Sequence, residues 1–154
     1  MTKNEFYKQW LEHFAVGIPP KDLKKYVVST GNLIWHTFSW KLLDDNKFLE
    51  GDNARKAYNE TNKRGAQYIE WFEDEKTHDI TWELNSASAL DRMVEVYVIA
   101  PDFSWTYIKT HESTCGPYFM KNKKPLVKAL IGIIVAASTI LIAFILALAL
   151  LSII

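Results

Sequence analysis

The feature that most limits what this chain can form is residues 129–154, a run of 26 positions without a charged side chain. As a helix rising 1.5 Å per residue it would measure about 39 Å, which exceeds the roughly 30 Å hydrocarbon core of a bilayer. Its polar side chains are the hydroxyls of Ser138, Thr139 and Ser152, which can bond to carbonyls of the same helix. A buried helix of a small domain would be shorter and would carry a polar stripe. The run therefore predicts one transmembrane helix.

The charges beside this run predict its orientation. Lys121, Lys123, Lys124 and Lys128 precede it and no charge follows it. Because positive residues stay on the cytoplasmic side, we expect a single-pass protein of the cell membrane with its N-terminal domain in the cytoplasm. The four lysines are also expected to contact anionic lipid headgroups, at about 1 kcal/mol each. Since residues 1–5 lack the apolar segment of a signal peptide, the run is interpreted as a tail anchor.

Small residues in the run raise the alternative of a homodimer. Gly132 and Ala136, and Ala143 and Ala147, are each four positions apart and would lie on one helix face. Such spacings allow two transmembrane helices to approach closely. A homodimer through the transmembrane helix is therefore one possible arrangement.

Composition divides the chain into three segments. Residues 1–120 are expected to form one cytoplasmic α+β domain, residues 121–128 a basic linker, and residues 129–154 the transmembrane helix. Four of the 18 basic residues lie in the linker, so residues 1–120 carry 14 basic and 18 acidic groups, a net charge of −4. Nucleic-acid binding, which needs a basic face, is therefore not expected. The lone cysteine, Cys115, excludes an internal disulfide and agrees with a reducing compartment.

Hydrophobic spacing predicts helices in the first part of the domain. Phe6, Trp10 and Phe14 recur every four residues, which predicts a helix over residues 3–16 that ends before Gly17. A second helix is expected over residues 20–28. A third is expected to open at Asp52, as the N-cap, and to extend to Gly65.

Alternating patterns predict the strands. Residues 33–40 are predicted as a strand with Ile34, His36, Phe38 and Trp40 on one face. Further strands are expected at 66–72 (central), 79–84, 94–100 and 104–110, the last two antiparallel to each other, with a helical turn at 86–90. The fold class expected is α+β: an antiparallel sheet of about four or five strands with two or three helices packed on one face.

Candidate chemistry concentrates where the last of these strands ends. His111, Glu112 and Cys115 lie close together in sequence, and His36 would join them if its strand were adjacent. Zinc sites normally use three or four ligands in motifs that are missing here, so neither a metal nor another cofactor is expected. A Cys–His nucleophilic pair is the other alternative. The simpler interpretation is a strand that ends in a polar turn.

An acidic run at residues 73–75, preceded by Glu70 and Trp71, allows two interpretations. It is typical of a solvated turn between strands. Alternatively, it binds a basic partner.

Four segments resemble a known bacterial family: Trp35–Ser39, Gly51–Ala57, Asp102–Glu112 and Cys115–Phe119. The chain is similar to the family labelled domain of unknown function 4275, which is met mostly in spore-forming Gram-positive bacteria. The resemblance covers nearly all of residues 1–120 and implies a compact α+β cytoplasmic domain, without an established activity. The C-terminal anchor departs from the usual soluble form of such domains.

Two functions remain open from the sequence. The first is a module without enzymatic activity that is held at the inner membrane face and binds another protein, with an immunity or regulatory protein as a special case. The second is a small enzyme that depends on His111 and Cys115, with or without a metal.

Overall fold

A six-stranded antiparallel sheet forms the centre of residues 1–122, with strands in the order β1-β6-β5-β4-β2-β3. The structure, a computed structural model, describes residues 1–122. The strands are β1 (Phe48–Glu50), β2 (Gln67–Glu70), β3 (His78–Asp79), β4 (Val96–Ile99), β5 (Trp105–Lys109) and β6 (Tyr118–Lys121). The helices are α1 (Lys3–Phe14), α2 (Pro20–Tyr26), α3 (His36–Ser39), α4 (Asp52–Glu60) and α5 (Ala87–Leu90). The predicted α+β class with an antiparallel sheet is confirmed.

Helices cover both faces of this sheet, which corrects the expectation that they share one face. Tyr97 and Ile99 of β4 pack in the same apolar cluster as Phe6 and Trp10 of α1. Val96 and Val98 of the same strand pack in a second cluster that contains residues of α4 and α5. Because all four residues of β4 are buried, the strand needs cover on both sides.

The first helix forms as the sequence predicts. The hydroxyl of Thr2 accepts a hydrogen bond from the Glu5 backbone, and the Glu5 carboxylate accepts one from the Thr2 backbone, so a capping box starts α1. Phe6, Trp10 and Phe14 are buried along one side of it. The Trp10 indole also donates a buried hydrogen bond of 3.0 Å to the Thr106 hydroxyl in β5, which fixes the helix on the sheet.

The predicted strand at residues 33–40 is wrong, because this segment is helical. Ile34, Trp35, Thr37 and Phe38 are buried, and this is the spacing of one helix face. The segment contains α3, and the amide of Trp40 donates to the carbonyl of His36, 3.1 Å away. The indole of Trp40 is exposed, so the expected shared face of alternate residues does not exist.

Three further sheet predictions need correction. β2 is not in the middle of the sheet but second from one edge, between β4 and the two-residue edge strand β3. The strand expected at residues 79–84 leaves the sheet after Asp79 and becomes a 3₁₀ turn, Trp82–Leu84. The hydroxyl of Tyr58 in α4 donates to the Leu84 carbonyl over 2.9 Å, which holds this turn against the helix. The sequence patterns do not predict the short strands β1 and β6, which bring the number of strands within residues 1–122 to six.

Other predictions hold in outline. β4 and β5 are antiparallel neighbours, with Val98 opposite Tyr107. Ser86 is the N-cap of α5, and its hydroxyl accepts a hydrogen bond from the Ala89 amide. α4 starts as expected near Asp52, but its N-cap is Gly51. The helix ends at Glu60 rather than near Gly65.

The membrane predictions lie mostly outside the described part of the chain. No helix within residues 1–122 is long and apolar enough to cross a bilayer. Residues 129–154, with Gly132, Ala136, Ala143 and Ala147, are not among the described residues, nor are Lys123, Lys124 and Lys128. Lys121 is described, and it is the exposed last residue of β6.

Candidate functional site

A buried carboxylate lies at the start of the central strand β4. Glu95 immediately precedes Val96, and its side chain has an exposed fraction of 0%. The Glu95 carbonyl accepts a hydrogen bond of 2.8 Å from the Trp71 amide, so its backbone continues the pairing between β2 and β4. An ionised carboxylate is stable at such a position only when donors surround it.

Three side chains supply these donors from different parts of the fold. The Trp35 indole donates to Glu95 Oε2 over 3.0 Å, and His111 Nδ1 lies 2.5 Å from the same oxygen. The Tyr97 hydroxyl donates to Oε1. Burial, and then the negative charge of Glu95, raises the pKa of Tyr97 well above its ordinary value, so this phenol remains a donor. The carboxylate therefore connects β4, the segment before α3, and the loop after β5.

The imidazole of His111 extends this network to the surface. Its side chain has an exposed fraction of 29%, while Glu95 behind it is fully buried. When Glu95 is ionised its carboxylate can only accept, so Nδ1 is then the donor of this hydrogen bond. Nε2 lies 3.5 Å from Oε1 of Glu112. The ring is held edge-on by Trp35, with centroids 5.7 Å apart, and by Phe72, at 5.6 Å.

This geometry defines what His111 can do chemically. A carboxylate on Nδ1 fixes the tautomer and the orientation of the ring, as in catalytic triads. Nε2 is then available to accept a proton, to donate one, or to hydrogen-bond a ligand. The same contacts also have a structural effect, because they satisfy a buried charge.

His111 and Cys115 line one cleft of about 220 Å³. The loop that carries them is held by Thr110, whose hydroxyl contacts the carbonyls of Glu112 at 2.9 Å and of Cys115 at 2.5 Å. No hydrogen bond between the Cys115 thiol and His111 occurs within residues 1–122. The other lining residues are Arg55, Lys109, Thr110, Glu112, Ser113, Gly116 and Pro117.

Cys115 also borders a second, wider cleft of about 540 Å³. Phe38, Phe48 and Tyr118 line this cleft and contact each other, with the rings of Phe38 and Tyr118 stacked at 4.8 Å between centroids. Cys115 itself is half-buried and packs against the cluster that contains these rings. Its environment is thus apolar on one side and polar on the other.

His36 does not join this site. Its Nδ1 lies 2.8 Å from the Tyr26 carbonyl and 2.9 Å from the Thr30 hydroxyl, so it connects α3 to the end of α2. Its ring packs against Trp35 at a centroid distance of 4.1 Å. It lines neither of the two clefts. Within residues 1–122, no group of three or more His, Cys, Asp or Glu side chains is placed to hold a metal ion.

The sequence reasoning missed Glu95, which is the centre of the network. Glu95 is the one charged residue in the predicted strand 94–100. A single carboxylate inside a run that predicts a buried strand needs donors, and this is the signal that identifies it. The sequence analysis assigned no role in the site to Trp35 or Tyr97.

Fold and site together define a small α+β domain with a buried carboxylate–imidazole pair beside a shallow cleft. Residues 3–119 match the model of a family described as Domain of unknown function (DUF4275), and the chain belongs to this family. No curated protein matches the chain, and no solved structure does.

Proposed function

We propose that the protein is a protein-binding module held at the inner face of a membrane by residues 129–154. The observation that carries this proposal is the run of 26 residues without a charge. Insertion of such a run is favourable because 16 of its 26 residues are Leu, Ile, Val or Phe, each of which contributes a few tenths of a kcal/mol. The basic residues at 121–128 support an orientation with the DUF4275 domain in the cytoplasm.

The binding role is supported by what a tether does and by what the domain exposes. A domain confined to a thin layer meets membrane partners at a raised effective concentration. Phe72 is an exposed aromatic side chain, a residue type that is enriched at protein interfaces. An immunity or regulatory protein that blocks a toxin or a membrane enzyme is the special case that fits this arrangement.

The test compares the native chain with a full-length variant that cannot insert. Leu141→Lys with Ile145→Lys places two charges near the middle of the run, at a cost of about 2.5–3.5 kcal/mol each. Cross-linking in cells followed by purification should recover a specific membrane protein with the native chain and with the control Ser138→Ala. The double variant should lose it. Recovery of no specific partner from the native chain would contradict the binding role.

A small enzyme is the second candidate, and the shared cleft of His111 and Cys115 favours it. With Glu95 behind His111, Nε2 has the orientation of a general base, and a thiol lies in the same cleft. Alkylation of Cys115 across pH discriminates this candidate. A thiol activated by His111 would react faster than a free thiol near neutral pH and would lose this advantage in His111→Gln. An inert thiol, together with no bound metal in elemental analysis, would leave the enzyme without support.

A further inference from the structure

An apolar patch lies on the surface next to the carboxylate–imidazole pair. It consists of Phe72 and Val94, whose exposed fractions are 53% and 52%, and of the outer edge of His111. We call this surface the Phe72 patch. Isolated exposed apolar residues are common, but here Phe72 lies against the His111 ring and the Val94 backbone is hydrogen-bonded to Glu70, two residues before Phe72.

A ring contact and local hydrogen bonds hold the residues of the Phe72 patch in place. The Phe72 ring meets the His111 ring at 5.6 Å, and His111 is fixed from behind by Glu95. The amide of Val94 donates to Glu70 Oε1 over 3.1 Å. The backbone of Glu70 donates to the Asp74 carboxylate over 2.8 Å, which orders the turn that carries Phe72. A surface built in this way loses little conformational entropy when it binds.

Three carboxylates adjoin residues of the Phe72 patch. Glu70 is hydrogen-bonded to the Val94 amide, Glu73 follows Phe72 in the chain, and Glu112 lies 3.5 Å from His111. Within the described part of the chain, none of the three forms an ion pair with a Lys or Arg. Two ammonium groups are also near, and both donate to backbone carbonyls: Lys109 to those of Met93 and Val94, and Lys3 to that of Trp71.

We infer that the Phe72 patch docks a partner protein through a segment that carries Lys or Arg around one large apolar side chain. The inference rests on the proposed binding role. It adds which surface of the domain binds and what kind of segment the partner presents. The apolar side chain packs on Phe72 and Val94, while the basic groups face Glu70, Glu73 and Glu112. The same charges disfavour the alternatives, because anionic lipid headgroups and nucleic-acid phosphates would be repelled.

The chain offers a matched control surface. Phe72-Glu73 and Trp82-Glu83 are both an exposed aromatic residue followed by a glutamate. Trp82 is the more exposed of the two aromatic residues, at 84%. It is not part of the Phe72 patch. Matched substitutions at the two sites therefore change the same kinds of side chain. A difference in peptide affinity between them is due to their position on the surface.

The experiment uses the full chain in nanodiscs of zwitterionic phosphatidylcholine. The probes are a display library of short basic peptides, each with one large apolar residue, and an acidic library of the same design. The native chain should select basic peptides. Affinity for the selected peptide should fall about tenfold in Phe72→Ser and about as much in Glu73→Lys with Glu112→Lys, while Trp82→Ser and Glu83→Lys stay within about twofold.

Two results would overturn the inference and leave the proposed binding role standing. One is that the selected peptide binds Phe72→Ser and Trp82→Ser with equal affinity, which would mean that the interface lies elsewhere on the domain. The other is a native chain that selects no basic peptide but cross-links a specific partner in cells. If the native chain selects no peptide and also cross-links to no specific partner, both the inference and the proposed binding role are contradicted.

Discussion

The carboxylate of Glu95 and the imidazole of His111 lie 2.5 Å apart and connect the buried start of β4 to the surface. One partner is fully buried, and the other is exposed over 29% of its side chain. The pair therefore couples the core of the domain to the cleft on one side and to the Phe72 patch on the other. Its roles in stability and in binding can be separated by substitution.

Removal of the Glu95 carboxylate should destabilise the fold strongly. In Glu95→Ala the donors from Trp35, Tyr97 and His111 lose their common acceptor. Leaving a buried donor unsatisfied in this way costs about 1–3 kcal/mol for each donor. Urea unfolding of the full chain in detergent micelles measures the loss. The control Glu83→Ala, at an exposed position, should change the free energy of unfolding by less than about 0.5 kcal/mol. Equal changes in the free energy of unfolding in Glu95→Ala and Glu83→Ala would contradict the hydrogen-bond network around Glu95.

Two buried tyrosines should respond oppositely to loss of their hydroxyls. Tyr97→Phe removes a donor to the Glu95 carboxylate, and hydrogen bonds to charged groups contribute about 1.5–3 kcal/mol. Tyr107 packs on Tyr58, and its hydroxyl has no partner within residues 1–122. Tyr107→Phe should therefore be neutral or slightly stabilising. Denaturation of both variants in parallel tests this, and a larger loss in Tyr107→Phe would refute it.

The free energy of unfolding should fall above about pH 10. Burial raises the pKa of Tyr97, and it also raises those of Tyr58, Tyr107 and Tyr118. In the unfolded chain these phenols ionise near pH 10. Stability from a raised folded-state pKa is fully present below the unfolded value and is lost as pH rises, by up to about 1.4 kcal/mol per pH unit for each phenol.

Ultraviolet absorbance of tyrosinate provides the measurement. These buried phenols should ionise together with unfolding rather than before it. Tyr97→Phe should show a shallower loss of stability with pH than the native chain. Ionisation of all tyrosines near pH 10 in the folded protein would contradict the burial described here.

A dimer through the membrane segment should depend on Gly132. Gly132 and Ala136 lie outside the described residues, so this prediction rests on their spacing in the sequence. If two helices approach there, Gly132→Leu should lower the yield of cross-linked dimer in membranes, because a larger side chain separates the backbones. Ile133→Leu, at the neighbouring position, serves as the control. An unchanged yield in Gly132→Leu would exclude this interface.

Elements with one clear period were predictable from the sequence. Phe6, Trp10 and Phe14 fit a helix and not a strand, because Lys8 and Glu12 at the positions between them are polar, and α1 is found there. In residues 33–40, apolar residues are so dense that they satisfy both periods. Ile34 and Phe38 fit an alternating strand face and also an i, i+4 helix face. Tertiary packing decided for the helix, because Trp35 and Thr37 are buried as well.

The candidate site was half predictable. His111 and Cys115 are close in sequence, and both line the same cleft. The partner of His111 comes from another strand, so its identity depends on register. Val96 faces Lys109 in the β4–β5 pairing, which places Glu95 one step further, opposite Thr110 and beside His111. His36 was expected near this site only because residues 33–40 were assigned to the sheet.

The most direct test of the central claim, a module anchored in the membrane by residues 129–154, is alkaline carbonate extraction of membranes that contain the native chain. The account predicts that the native protein stays in the membrane pellet, while the chain with Leu141→Lys and Ile145→Lys is released. Release of the native protein by carbonate would contradict the account.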